Sequence, residues 1–196
     1  MTINILRSES YRLQPWKNGK GMTAEIARFP SNTDSDFLWR FSMADIHESG
    51  AFSHFPGMTR TLVLLEGSPI VLSHTQSIDV KKLDLLEPYF FDGSWDTSAV
   101  VKSAGKDFNL ISRTDLFQSQ TYVRCLQSKQ PLQVAVKEIT MLIFCLSDEI
   151  SFQKTILRKY DSLLIMGGEN QNEYEVTLVA GEFGAKFLEC AIKLKA

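Results

Sequence analysis

Thr61-Leu62-Val63-Leu64-Leu65-Glu66-Gly67, followed by Ile70-Val71-Leu72, decides the fold class. A short apolar run is stopped by a Glu-Gly turn signal and resumes at once, which is the pattern of a β-hairpin. The same rhythm extends both ways. Residues 23–29 alternate small or apolar with polar side chains, and residues 38–46 set Trp39, Phe41 and Met43 against Arg40, Ser42 and Ala44. Downstream, residues 81–86 and Tyr89-Phe90-Phe91 close on Asp92-Gly93. Helical stripes are lacking, and a punctuated series of short strands points to a sandwich or barrel.

The second half repeats the scheme. Met141-Leu142-Ile143-Phe144-Cys145 matches Thr61-Leu62-Val63-Leu64-Leu65. Thr155-Ile156-Leu157-Arg158 before Leu163-Leu164-Ile165 matches Lys82-Leu83-Asp84-Leu85 before Tyr89-Phe90-Phe91. This internal repeat suits two related β units, expected over residues 1–113 and 114–196, with exchange of strands between them allowed. Residues 112–133 are polar and contain Pro131; they read as the connection between halves, with part of it open to a helix. Residues 30–36 and 168–173 read as solvated loops.

At 196 residues and 44% hydrophobic, the chain can bury a full core. Its formal charge of −2 spreads over 21 basic and 23 acidic residues without a basic run, so neither nucleic acid nor an anionic membrane is an expected partner. No apolar run approaches the ~20 residues of a spanning helix, and residues 1–11 lack a signal-peptide pattern. Cys125, Cys145 and Cys190 are odd in number and widely spaced, which fits reduced thiols in a cytoplasmic protein.

The candidate site rests on cations beside aromatics and glycines. Lys17, Arg40 and Arg60 stand in Trp16-Lys17-Asn18-Gly19, in Trp39-Arg40-Phe41-Ser42 and in 50–60, which also holds Phe52, His54 and Phe55. A guanidinium fork suits a carboxylate, and several such groups at one barrel mouth would make a small-acid site. The alternative is that Arg40 points to solvent while Arg60 pairs with Glu25, Asp45 or Glu66. Asn18-Gly19-Lys20-Gly21 reads either as a turn or as a close approach to a ligand, and it is no Walker loop. Of the histidines His47, His54 and His74, no two stand at a metal-ligand spacing; His54 with Glu66 is the one pairing to weigh for a metal. Asp107-Phe108-Asn109 reads as a turn cap ordering the junction between units, and Arg113 as a solvated arginine, with a further anion contact as its alternative.

These segments resemble the HutD/Ves family of bacterial proteins. The resemblance rests on Trp16-Lys17-Asn18-Gly19, Thr23-Ala24-Glu25-Ile26-Ala27, Trp39-Arg40-Phe41-Ser42-Met43-Ala44 and Gly50-Ala51-Phe52-Ser53-His54-Phe55-Pro56-Gly57. It continues through Arg60-Thr61-Leu62, Leu64-Leu65-Glu66-Gly67, Phe91 with Gly93, and Asp107-Phe108-Asn109-Leu110, covering residues 16 to 113. Lys20 replaces the family's third glycine, Thr59 an acidic residue and Thr114 a basic one. The resemblance implies an all-β chain of two double-stranded β-helix (cupin) barrels, a bicupin, without established enzymatic activity. It implies a role in histidine utilisation, as a sensor or buffer of an acid such as urocanate or formylglutamate, or in stress response.

The ligand-binding candidates are therefore Lys17, Asn18, Thr23, Glu25, Arg40, Ser42, His54 and Arg60. No catalytic residue, metal or cofactor is expected, and a homodimer is compatible with the chain. The competing reading is a metal-dependent cupin enzyme.

Overall fold

The computed structural model describes residues 1–16, 21–31, 36–76, 80–136, 140–167 and 174–195. Short strands fill it: β1 Thr2–Leu6, β2 Arg12–Pro15, β3 Met22–Phe29, β4 Trp39–Ile46, β5 Gly50–Ala51, β6 Met58–Glu66, β7 Ile70–His74, β8 Val80–Leu83, β9 Pro88–Asp92 and β10 Thr97–Val100. They continue as β11 Gly105–Arg113, β12 Phe117–Leu126, β13 Pro131–Val136, β14 Thr140–Ser147, β15 Ile150–Phe152, β16 Thr155–Leu157, β17 Ser162–Met166, β18 Tyr174–Ala180 and β19 Ala185–Leu194. Among the described residues no helix is long and apolar enough to cross a membrane.

The chain forms two compact units. One holds residues 12–116, the other residues 1–11 together with 117–196. In the first, a six-stranded sheet β2-β3-β4-β11-β6-β9 faces a four-stranded sheet β5-β10-β7-β8. In the second, the sheets are β1-β17-β14-β19-β12 and β13-β18-β15-β16. Taken alone, the eight strands β4–β11 and the eight strands β12–β19 have the same order. In each, the first strand lies beside the eighth, then third, then sixth, and the second beside the seventh, then fourth, then fifth. This is the jelly roll, which all-β chains use to limit open sheet edges. The repeat read in the sequence falls on equivalent strands, with residues 61–65 on β6 and 141–145 on β14, the third of each set.

Two expectations change. The sequence boundary put residues 1–11 with the first unit, whereas Thr2–Leu6 pairs with β17 of the second from Thr2↔Met166 to Leu6↔Ser162. Asp161 holds the following turn, accepting Arg7 Nη1 at 2.7 Å and the Ser8 amide at 2.9 Å. The expected connection at 112–133 contains β12, paired along its whole length with β19. Its polarity comes from lying at a sheet edge, where only Phe117, Thr121 and Leu126 are buried.

Each unit has its own apolar interior. Leu62, Leu64, Ile70, Leu72, Leu83 and Phe91 fill the first, and Ile143, Cys145, Ile165, Leu178 and Phe187 contribute to the second. Cys145 and Cys190 are buried free thiols and Cys125 is exposed. Gly67 turns the chain from β6 into β7 at φ +101°, and a Cβ there would stand 2.8 Å from the Gly105 backbone, so no larger residue fits.

Candidate functional site

Register across the six-stranded sheet decides which polar side chains meet, because directly paired residues share a face. One row runs Arg28, Arg40, Ile111, Arg60, Phe91. The next runs Glu25, Ser42, Asn109, Leu62, Tyr89, and the third Thr23, Ala44, Asp107, Leu64. Leu62, Leu64 and Phe91 belong to the apolar interior of this unit, so the rows face inward. On β3 a bulge between Glu25 and Ala27 shifts the alternation, which brings both Glu25 and Arg28 onto this face despite their odd separation.

Arg60 is 6% exposed. Its Nη2 donates to Asn109 Oδ1 at 2.6 Å and its Nη1 to the Ser53 carbonyl at 3.2 Å. Asn109 Nδ2 in turn donates to Asp107 Oδ1 at 2.9 Å. The Arg60 guanidinium carbon lies 5.1 Å from the ring centres of Phe52 and Phe91 and 5.4 Å from that of Phe55. Arg40 lies 4.8 Å from the Phe37 centre and also 5.4 Å from Phe55. Both guanidinium groups border the Phe55 ring, and they are near enough for the charge of Arg40 to act on Arg60. The Nε of each is buried and without a hydrogen-bond acceptor among the described residues. Glu25 Oε1 lies 3.6 Å from Arg28 Nε, while Glu25 Oε2 is buried without a donor among the described residues.

Three guanidinium groups thus face two carboxylates in a partly dry interior. Burial pushes Arg60 down from 12.5 to about 10; Asp107 opposes the fall and Arg40 adds to it. Burial also lowers Arg40, with Glu25 opposing and Arg28 reinforcing. Asp107 is pushed up to about 7 by burial, against the field of Arg60 and the bonds from Asn109 and the Ala44 amide. Positive charge dominates here, and an anion would relieve it.

Thr23, Glu25, Arg40, Ser42 and Arg60 share the inward face as a set, and the Thr23 hydroxyl accepts Trp16 Nε1 at 2.9 Å. Lys17 and Asn18 lie outside the described residues. His54 does not join the rows: it is exposed and its Nε2 sits 2.5 Å from Asp96 Oδ1. Nor does it meet Glu66. His54 precedes β6, whereas Glu66 ends it, roughly 20 Å along the strand from Arg60 at ~3.3 Å per residue. Among the described residues no three His, Cys, Asp or Glu side chains cluster as metal ligands.

Asp107 and Asn109 correct the turn reading. They lie within β11 and both point inward, because Asp107 pairs with Ala44 and Asn109 with Ser42. Arg28 joins the set unannounced by the sequence. Arg113 stays at the rim, where Asp115 binds its Nε at 2.8 Å and its Nη2 at 2.6 Å. An open cleft of about 1030 Å³ lies outside the cations, lined by Phe37, His54, Phe55, Met58, Arg113 and Asp115 among others. Phe37 and Phe55 therefore line the cleft while covering Arg40. Gly93 docks the segment that carries Phe55, taking the Phe55 amide on its carbonyl at 2.7 Å and giving its own amide to the Met58 carbonyl at 2.8 Å.

His74, on the facing sheet, is buried and bonded at both ring nitrogens, to Thr97 Oγ1 at 2.9 Å and Tyr89 Oη at 3.0 Å. Burial lowers its pKa.

Two jelly rolls in one chain, one with arginines turned into its interior, define a double cupin. Relatives narrow the class. The HutD family model matches residues 8–182, and the chain belongs to the HutD family. Protein Ves of Escherichia fergusonii is 42% identical over 100 residues, covering 50% of this chain and 51% of that one. An uncharacterised 21.2 kDa protein in the hutC 3′ region of Pseudomonas putida is 37% identical over 110 residues, covering 56% and 57%. The matched part spans only about half the length of these curated relatives. The fold extends further. HutD from Pseudomonas fluorescens SBW25 superposes with a TM-score of 0.84 at 26% identity over 100% of both chains. A conserved protein of unknown function from Pseudomonas aeruginosa PAO1 gives 0.86 at 30% identity, covering 98% of this chain and 100% of that one. YhhW from Escherichia coli, at 10% identity with a TM-score of 0.70 over 97% of both chains, shares the fold alone.

Proposed function

We propose that the interior of residues 12–116 binds a small organic acid without transforming it, with Arg40 and Arg60 as the carboxylate ligands. One observation carries this reading. Two guanidinium groups, that of buried Arg60 and that of half-buried Arg40, border a single phenyl ring, and each keeps a buried Nε–H with no acceptor among the described residues. A buried cation with unused donors costs free energy unless something occupies it. A carboxylate would accept from both forks and offset the positive excess.

The relatives named HutD and the hutC-region protein support a role beside histidine utilisation, which makes urocanate and formylglutamate the first acids to try. The likeness to Ves leaves a stress-related role as the alternative setting. In this reading the protein acts in the cytoplasm on a soluble metabolite, as a monomer or a homodimer. Its formal charge of −2 supports a small acid over nucleic acid as partner.

A thermal-shift panel of small carboxylates tests the proposal. An acid present at a hundredfold excess over its Kd should stabilise the fold by about 2.7 kcal/mol. No response from any acid, or an equal response in Arg60→Ala, would overturn it.

A further inference from the structure

Asn109 uses both ends of its amide. Its oxygen accepts from Arg60 at 2.6 Å and its nitrogen donates to Asp107 at 2.9 Å, so one side chain separates a buried cation from a buried carboxylate. Asp107 is 4% exposed and Asn109 7%, so water screens neither well. We propose that acid binding at Arg60 is linked to uptake of one proton from solvent by Asp107, with Asn109 as the bridge. The proposal rests on the acid-binding reading and deepens it.

The charges around Asp107 explain the direction. Arg60, on β6, stabilises the Asp107 carboxylate, and the Asn109 and Ala44 N–H groups bond it. Asp45, on β4, opposes it weakly while paired with Lys106 of β11. Elsewhere in this unit stand Glu25 and Arg28 on β3, Arg40 on β4, His74 on β7 and Lys81 on β8, the last bound to Glu87. With Arg60 unliganded, Asp107 titrates near 7. A carboxylate on Arg60 cancels the field that holds Asp107 ionised and adds a negative charge one amide away. Both effects favour the neutral carboxyl, and the proton keeps the net charge of the interior constant.

The linkage has a definite sign. Below about pH 7 Asp107 is already protonated and affinity is flat. Above that, each bound acid must bring a proton, and affinity falls by up to ~10-fold per pH unit until the carboxyl in the complex also ionises.

Calorimetric titration with N-formylglutamate tests this, because the carboxyl groups of that probe stay ionised from about pH 6 to pH 9. In two buffers of different ionisation heat, the wild-type binding heat should differ near pH 8 by an amount that reports uptake approaching one proton. Asp107→Asn should abolish both the buffer dependence and the pH slope. Binding with no proton uptake, or an unchanged slope in Asp107→Asn, would overturn the linkage while leaving the acid-binding reading intact. No binding at any pH of N-formylglutamate, or of any acid in the thermal-shift panel put through the same titration, would overturn both. If Asp107→Asn does not fold, the buffer dependence of the wild type decides alone.

Discussion

Replacing Arg60 by methionine keeps most of the side-chain volume and removes the charge. Its effect on stability follows from opposing terms. The interior works against the guanidinium charge: the fall from 12.5 to about 10 corresponds to roughly 3 kcal/mol at ~1.4 kcal/mol per pH unit. Methionine removes that cost. It also leaves Asn109 Oδ1 without its donor, at about 1–3 kcal/mol, and forfeits the contacts with Phe52, Phe55 and Phe91, at about 0.5–2 kcal/mol. The terms nearly cancel, so Arg60→Met should unfold in urea within about 2 kcal/mol of the wild type. Acid binding has no such compensation. Two charge-assisted hydrogen bonds are worth roughly 3–6 kcal/mol, and their loss should weaken binding at least ~100-fold. A stability loss above about 4 kcal/mol would make Arg60 a structural residue. Retained acid affinity would place the ligand elsewhere. Either result refutes the reasoning.

Gly93→Ala should weaken acid binding from a distance. Its new Cβ would stand 2.7 Å from the Phe55 carbonyl and 2.9 Å from the Met58 carbonyl, displacing the ring over both arginines. The strain should cost about 1–3 kcal/mol in urea denaturation. His74 titrates in the opposite sense to Asp107. Its folded pKa is depressed by burial, so the unfolded chain binds the proton more tightly, and stability is lost as pH falls through about 6.5, by at most ~1.4 kcal/mol per pH unit. Denaturation curves of His74→Gln should lack that contribution. Asp161→Ala should free the N-terminal strand from the second unit, because Arg7 Nη1 and the Ser8 and Arg158 amides all donate to this carboxylate. A loss of roughly 3 kcal/mol is expected, with faster amide exchange across Thr2–Leu6.

Strand rhythm made the architecture legible. Apolar runs ended by Glu66-Gly67 and Asp92-Gly93 marked β6 and β9, and their echo at 141–145 and 163–165 marked the equivalent strands of the second unit. Arginines among aromatics likewise marked β4 and β6. What escaped had specific causes. Asp107 and Asn109 are turn formers by propensity, and here paired strands on both sides of β11 override that preference. Arg28 stayed hidden because only a bulge, a feature of register, puts it in phase with Glu25. His54 misled because its neighbours Ser53 and Phe55 do reach Arg60, while its own ring turns outward to Asp96. The exchange of β1 into the second unit is a long-range pairing that no local pattern announces.

A crystal structure of the complex with N-formylglutamate tests the central claim most directly. The bound acid should place a carboxylate within hydrogen-bond distance of the Arg40 and Arg60 guanidinium groups, beneath Phe55. An acid seated only in the outer cleft against Arg113, with both inner guanidinium forks still free of it, would contradict the account.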